Sequence, residues 1–242
     1  MVLSHIPWYI DKLNNQFIDN LTFAIIQKGR TNMEIKWFGQ SCFMLTTGNG
    51  TKIVIDPFNT SWLLSYKLPD VTADIVTTSH NHGDHNNIKC IKGNYVHINK
   101  PGKYSVKGID ITGILTSHGF PRGQNVIFKF AIDGLNICHC GDLGRMLTGE
   151  QVAELGNVDV LMIPVGGSAT IDAEKASKVA RLLNAKVVIP MHYKTDKFKS
   201  PMAGVDKFID VMGNCKKPGK QSVEITRDNL GEYAGALVLN YE

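Results

Sequence analysis

The chain is short of paired cysteines. Its five, Cys42, Cys90, Cys138, Cys140 and Cys215, form an odd set with no CxxC spacing, which argues against a disulfide framework and a zinc ribbon and fits a reducing cytosol. It also lacks any apolar run approaching the roughly 18 residues of a membrane span. Residues 1–30 do not show the basic, apolar and small-residue order of a signal peptide. Charge of one sign is scarce as well: 26 basic residues face 22 acidic ones, for a net +4. The lysines gather only loosely, at Lys194, Lys197 and Lys199 and at Lys216, Lys217 and Lys220, which suits a solvated surface better than a nucleic-acid groove. No internal repeat stands out. These absences predict a soluble, cytoplasmic protein with no membrane contact, and they count against a nucleic-acid partner. At 242 residues and 43% hydrophobic content, one domain with a full core is expected.

What the chain does contain is a dense histidine cluster. Of its eight histidines, three fall with a carboxylate in Ser79-His80-Asn81-His82-Gly83-Asp84-His85, directly after the apolar run Asp74-Ile75-Val76-Thr77-Thr78. Imidazole and carboxylate are ligands for a borderline divalent ion such as zinc, and the end of a buried strand gives them a fixed backbone. His80 and His82 alternate, so both rings can face one ion, while Gly83 permits a turn that re-aims Asp84 and His85. Further candidates each follow a predicted strand: His118 after Ile114-Leu115-Thr116-Ser117, Asp142 after Cys140-Gly141, and His192 after Val187-Val188-Ile189-Pro190-Met191. Cys138-His139-Cys140 is read as core, because strand alternation sends His139 opposite the two cysteines.

Two parts of the chain differ in pattern. In residues 1–32, Ile10, Leu13, Phe17, Leu21, Ala24 and Ile25 recur at helical spacing before Gly29, predicting an amphipathic extension. Its stripe would pack on the domain or on a second subunit, which leaves a homo-oligomer open. Residues 33–242 are expected to form the domain proper. Strands are predicted at Glu34–Phe38, Cys42–Thr47 and Lys52–Asp56, then near Tyr95–Ile98, Ile109–Leu115 and Val126–Ile132, the last joined through Asp133-Gly134 to Leu135–Cys140. The second half alternates: strand Val158–Ile163, helix Ala173–Leu183, strand Lys186–Ile189, helix Pro201–Met212, then strands Ser222–Ile225 and Ala234–Leu239. A β-rich half followed by an alternating half predicts two sheets packed face to face with helices outside.

Seven segments, in order, resemble the metallo-β-lactamase-fold superfamily, and within it the ascorbate-6-phosphate lactonase-like, predicted zinc-dependent hydrolase branch. They are Trp37-Phe38-Gly39-Gln40-Ser41-Cys42-Phe43, Ile55-Asp56-Pro57-Phe58, the histidine cluster, His118-Gly119, Cys140-Gly141-Asp142-Leu143-Gly144, Ile163-Pro164-Val165-Gly166-Gly167 and Ile189-Pro190-Met191-His192-Tyr193. The resemblance implies an α/β (α+β) fold, the four-layer αβ/βα sandwich, with two divalent metal ions. His80, His82 and His118 would hold one ion, Asp84, His85 and His192 the other, and Asp142 would bridge them. Asp56 would orient a ligand imidazole from behind. Zinc suits these ligands, and manganese or iron fit the same set.

The implied activity is metal-dependent hydrolysis of a small ester, lactone or phosphoester, in which a metal-bridging hydroxide attacks. Asp84 or Asp142 would accept a proton and His192 would lie near the developing oxyanion. The sequence departs from the family pattern at Gln40, where histidine is common, and near Arg145. Gln40 cannot titrate. Arg145 offers a fixed charge that could face an anionic group of the substrate. Gly166-Gly167-Ser168 and Thr170, ahead of a helix capped by Asp172, are a further candidate for meeting an anion. Two rival functions remain open: a phosphodiesterase or nuclease of the same fold, and a metal-binding protein without turnover.

Overall fold

In the computed structural model, residues 32–67 and 69–241 are described, and Asn32–Glu242 make one unit. The helix expected around Ile10 to Ile25 lies outside the described residues.

Period-two alternation builds the first sheet. In β1 (Met33–Gly39), β2 (Cys42–Thr46), β3 (Lys52–Ile55) and β4 (Ile75–Thr77), the odd-numbered Met33, Ile35, Trp37, Phe43, Leu45, Ile53, Ile55 and Ile75 enter the main core. The even-numbered Phe38, Cys42, Met44, Val54 and Val76 join a separate cluster with Phe58, Leu64 and Tyr66. Both faces of this sheet are therefore apolar. With β5 (Val96–Ile98) and β13 (Ser222–Ile225), the order is β13-β1-β2-β3-β4-β5.

The second sheet holds β6 (Gly102–Val106), β7 (Ile109–Gly119), β8 (Gly123–Ile132), β9 (Leu135–His139), β10 (Val160–Pro164), β11 (Val187–Met191), β12 (Cys215–Lys216) and β14 (Gly235–Leu237), in the order β12-β14-β11-β10-β9-β8-β7-β6. Strands β6 to β9 form an antiparallel meander, and β9, β10, β11 and β14 run parallel. All residues of β10 and β11 are buried, as expected of parallel strands covered on both faces. The β8–β9 turn at Asp133-Gly134 has positive φ at both positions, 49° and 77°, matching the predicted hairpin.

Three helices accompany the second sheet. α1 (Gly149–Leu155) starts with a capping box between Thr148 and Gln151, α2 (Ala173–Leu182) is capped by Asp172, which accepts from Lys175 N–H, and α3 (Asp206–Met212) ends at Gly213. α1 packs on β7, α2 on β10 and α3 on β14, and α2 and α3 pack most extensively on each other. The expected mixed α/β sandwich of two sheets is what forms.

Some boundaries differ from expectation. The last helix begins at Asp206 rather than Pro201, because the preceding backbone is used elsewhere: Ala203 N–H donates to Gly166 O and Lys194 N–H to Ala203 O. β6 and α1 were not anticipated. β6 buries none of its residues and α1 only Leu155, so neither has a strong apolar period. Among the described residues, no helix is long and apolar enough to cross a membrane.

Candidate metal centre

The histidine loop leaves β4 and closes on itself through His85 N–H donating to His82 O. His118 reaches the same place by a route the sequence does not show. It lies within β7 rather than after it, at a register shift between Ser117 and Gly119, and this bulge frees it from strand pairing. Asp142 follows β9 through Gly141, with φ of 53°, and its N–H is held by Asn125 Oδ1 at 2.9 Å. His192 follows β11 with φ of 50°, its N–H donating to Gln40 O.

These elements bring together all seven expected ligands. Asp142 Oδ2 lies 3.3 Å from His118 Nε2, 3.3 Å from His192 Nε2 and 3.9 Å from His80 Nε2, while its Oδ1 lies 3.2 Å from His85 Nε2. Asp84 Oδ2 is 3.5 Å from His85 Nε2. The donors fall into two groups, each with its atoms within 4.8 Å of one another: His80, His82 and His118, and Asp84, His85, Asp142 and His192. Two donors about 2.0–2.1 Å from a tetrahedral ion stand about 3.3 Å apart, so the observed spacings suit ligands aimed at a shared cation. Two of the atoms concerned, His118 Nε2 and Asp142 Oδ1, are buried and make no hydrogen bond. Unsatisfied buried polar atoms are costly, and a cation held by its group would satisfy each. The residues fit a metal.

Charge supports the same conclusion. Burial alone would keep Asp142 protonated, yet His192 and His85 hold its carboxyl well below the usual carboxylate range. Asp84 is likewise lowered, against its burial, mainly by His85. His85 moves the opposite way: burial disfavours its charge, but Asp142 and Asp84 raise it well above the ordinary imidazole value. The carboxylates thus favour a positive charge at His85. His80 is pushed down to about 3 by burial and by the neighbouring His85, so its ring is neutral, and its Nε2 lies 3.0 Å from His82 Nδ1.

Behind the ligands sits Asp56, fully buried and with φ of 48°. Its Oδ1 accepts from Ser79 N–H at 2.7 Å, and its Oδ2 from Ser79 Oγ–H at 2.6 Å and from His85 Nδ1–H at 2.8 Å. With its proton on Asp56, Ser79 Oγ must accept from His80 Nδ1–H, 2.9 Å away. This network assigns the tautomers of two ligand histidines, leaving Nε2 of each to face the centre. Ser79 was not foreseen; only its place beside His80 could have flagged it.

The expected substrate contacts lie elsewhere. Gln40 is buried, donates from Nε2 to Asp84 Oδ2 at 2.8 Å, and does not line the cavity over the centre. Arg145 is exposed and also outside that cavity. The Gly167 N–H is spent on Ile171 O and that of Thr170 on Gly167 O, so neither is free for an anion, while Ser168 and Ala169 do line the cavity. Asp172 is a helix cap. His139 is fully buried, accepts from Gly141 N–H and donates to Ser41 O, in keeping with a core role. The cavity measures about 480 Å³ and is bounded by His82, Asp84, His118, Asp142 and His192.

Comparison with known proteins bears on the family of the chain. The family described as Beta-lactamase superfamily domain matches residues 34–192. The chain is 27% identical over 223 residues to a UPF0173 metal-dependent hydrolase of Geobacillus sp., covering 78% of this chain and 98% of the relative. To one from Methanoculleus marisnigri it is 29% identical over 235 residues, covering 83% and 100%. A crystal structure from Thermotoga maritima, whose description places it in the metallo-β-lactamase superfamily, is 41% identical with a TM-score of 0.75, covering 87% of this chain and all of that one. Human tRNase Z, short form, at 13% identity and a TM-score of 0.52, shares the fold alone.

Proposed function

We propose a function for a chain that belongs to the Beta-lactamase superfamily. It is a metal-dependent hydrolase, and its substrates are small esters, lactones or phosphoesters opened at a two-metal centre. The observation that supports this is the gathering of seven donor side chains, Asp142 among them, into two clusters, in which His118 Nε2 and Asp142 Oδ1 are buried without a hydrogen bond. His80, His82 and His118 would hold one ion, Asp84, His85 and His192 the second, with Asp142 between them.

Divalent ions such as zinc would supply Lewis acidity and lower the pKa of a water from about 15.7 toward 7. The chain's own groups do the rest. Asp56 and Ser79 fix the rings of His85 and His80. Gln40 holds Oδ2 of Asp84, whose side chain is 34% exposed toward the cavity, so its Oδ1 can take a proton from the attacking water. His192 lines the same cavity and faces the oxygen that gains negative charge. No serine or cysteine nucleophile is required, so no acylated side chain should accumulate.

The test is turnover of an ester, lactone and phosphodiester panel by protein reconstituted with zinc, manganese or iron. Activity should vanish with a chelator, return on adding metal, and be lost in His82→Ala while the fold survives. Thermal stability should rise with metal, by about 4 kcal/mol at a thousandfold excess over Kd. A panel that stays silent with metal bound, or activity indifferent to chelator and to His82→Ala, would end the proposal. Bound metal near one equivalent would reject the two-ion form.

A further inference from the structure

A second cavity, about 370 Å³, adjoins the metal centre. Two side chains line both it and the first cavity: His82, an expected metal ligand, and Arg122. Arg122 projects from the β7–β8 turn, where its N–H donates to Gly119 O, and no carboxylate among the described residues pairs with it. The two cavities differ in charge: Asp84 and Asp142 line the first alone and Lys100 the second alone. Leu63, Leu64, Phe198 and Met202 give the first an apolar wall. The second is lined by Lys100, Asn99, Asn81 and Gln124 beside Leu115, Pro101 and Val126, and by no aspartate or glutamate, and the Lys100 ammonium likewise has no carboxylate partner among the described residues.

We infer that the substrate is an amphipathic anion that spans both cavities: an apolar part against Leu63, Leu64, Phe198 and Met202, and a carboxylate or phosphate gripped by Arg122 and Lys100. The scissile bond then lies at the boundary, where His82 belongs to both. The inference rests on the hydrolase function proposed above and adds to it the substrate class and the groups that select it. The guanidinium fork is suited to two parallel bonds to a planar or tetrahedral oxyanion, which a point-charged ammonium cannot make, so Arg122 sets specificity and Lys100 adds to it. An exposed arginine can be a solvated surface residue. Here its position on the ridge between the cavities, beside a ligand histidine, sets it apart from Arg145, which lines neither.

The experiment measures equilibrium binding to the metal-loaded protein of three probes: 4-phenylbutyrate, 3-phenylpropyl phosphate and the uncharged 4-phenylbutyramide. The anions should bind about tenfold or more tightly than the amide, the span expected for a charge-assisted bond, and the tighter of the two identifies the group. Arg122→Gln should bring the ratio near one while leaving amide affinity unchanged. Lys100→Gln should lower the ratio less, and Leu63→Ser should weaken all three probes alike. Equal binding of anion and amide by the natural protein would overturn the inference. So would a preference that survives the double Arg122→Gln, Lys100→Gln variant, which would place the anion on the metals, or indifference of every probe to Leu63→Ser. An Arg122-dependent preference in a protein that hydrolyses nothing leaves the subsite standing and removes the hydrolase function; metal-dependent turnover without that preference does the reverse.

Discussion

His85 Nδ1–H donates to Oδ2 of Asp56 across 2.8 Å, and both side chains are wholly buried. That bond fixes which nitrogen of His85 faces the cluster, and the same carboxylate fixes His80 through Ser79. Burial opposes the charge on Asp56, but the hydrogen bond and charge of His85 hold its carboxyl below the ordinary range. Asp56→Asn keeps the shape and tolerates the positive φ, yet turns an acceptor into a donor or leaves Ser79 unmatched. Metal affinity should fall about 10- to 100-fold, measured by competition with a chelating dye. Unchanged affinity would mean that Asp56 does not act on the ligands.

Gln40 is the residue whose identity departs most visibly from the family pattern, and its amide donates to Asp84 Oδ2 at 2.8 Å while its own Oε1 is buried without a partner. Gln40→Ala removes the donor and should cost about 1–2 kcal/mol of fold stability. It should also weaken the ion held by Asp84 by about tenfold, the worth of one charge-assisted hydrogen bond. Gln40→His can donate from a ring N–H and has no carbonyl to strand, so it should recover most of that affinity. Isothermal titration of metal into the three proteins decides it; equal weakening in both variants would show that the cavity left by glutamine matters more than its bond.

Much of this centre was legible before any coordinates. His80, His82, Asp84, His85, Asp142 and His192 stand at strand exits, where apolar runs stop and ligand-type residues begin, and they meet as that pattern implies. The sheets were legible for the same reason: period-two alternation in β1 to β3 and continuous apolar runs in β10 and β11 leave little choice of face. What the sequence hid depends on geometry without a periodic signature. The bulge that turns His118 inward is one extra residue in a register, and the bond from Asp142 N–H to Asn125 Oδ1 ties the loop after β9 to a side chain of β8, which no alternation announces. Arg145, not Arg122, is the anion contact that the sequence suggests, and only the structure puts Arg122 on both cavities and Arg145 on neither.

Close approach of backbone makes Gly141 hard to replace. A Cβ there would stand 2.3 Å from Asn125 Oδ1 and 2.5 Å from Ser79 Cβ, at φ of 53°. Gly141→Ala must displace the groups that hold Asp142 and His80, and a loss of about 3 kcal/mol or more is expected, together with metal binding. Gly134→Ala is the control, since φ is 77° but nothing lies within 4 Å of the added carbon; it should cost only backbone strain, about 1–2 kcal/mol. Urea unfolding with and without metal compares them. Similar losses in both would show that space at Gly141 is not limiting.

His139 gives the fold a sensitivity to acid that does not pass through the metals. Its Nδ1 accepts from Gly141 N–H at 3.1 Å, so the ring is neutral and its Nε2–H donates to Ser41 O at 2.9 Å. Burial lowers its pKa below the ordinary 6.5. Above about 6.5 neither folded nor unfolded imidazole is charged, and the contribution is fully present. As pH falls below that value the unfolded chain takes up a proton that the folded chain resists, so stability drops by up to about 1.4 kcal/mol per pH unit until the folded ring also titrates. His139→Gln, which can accept or donate at this position but cannot titrate, should be less stable than the natural protein near neutrality. That deficit should shrink as pH is lowered toward about 5, below the ordinary imidazole pKa. Chelated protein is used for both, so that His80 and His118 contribute equally and cancel in the difference. A deficit that stays constant across the range would mean that the folded and unfolded rings titrate alike, and one that grows as pH falls would mean that His139 is protonated in the fold, with the hydrogen bond from Gly141 to be reassigned.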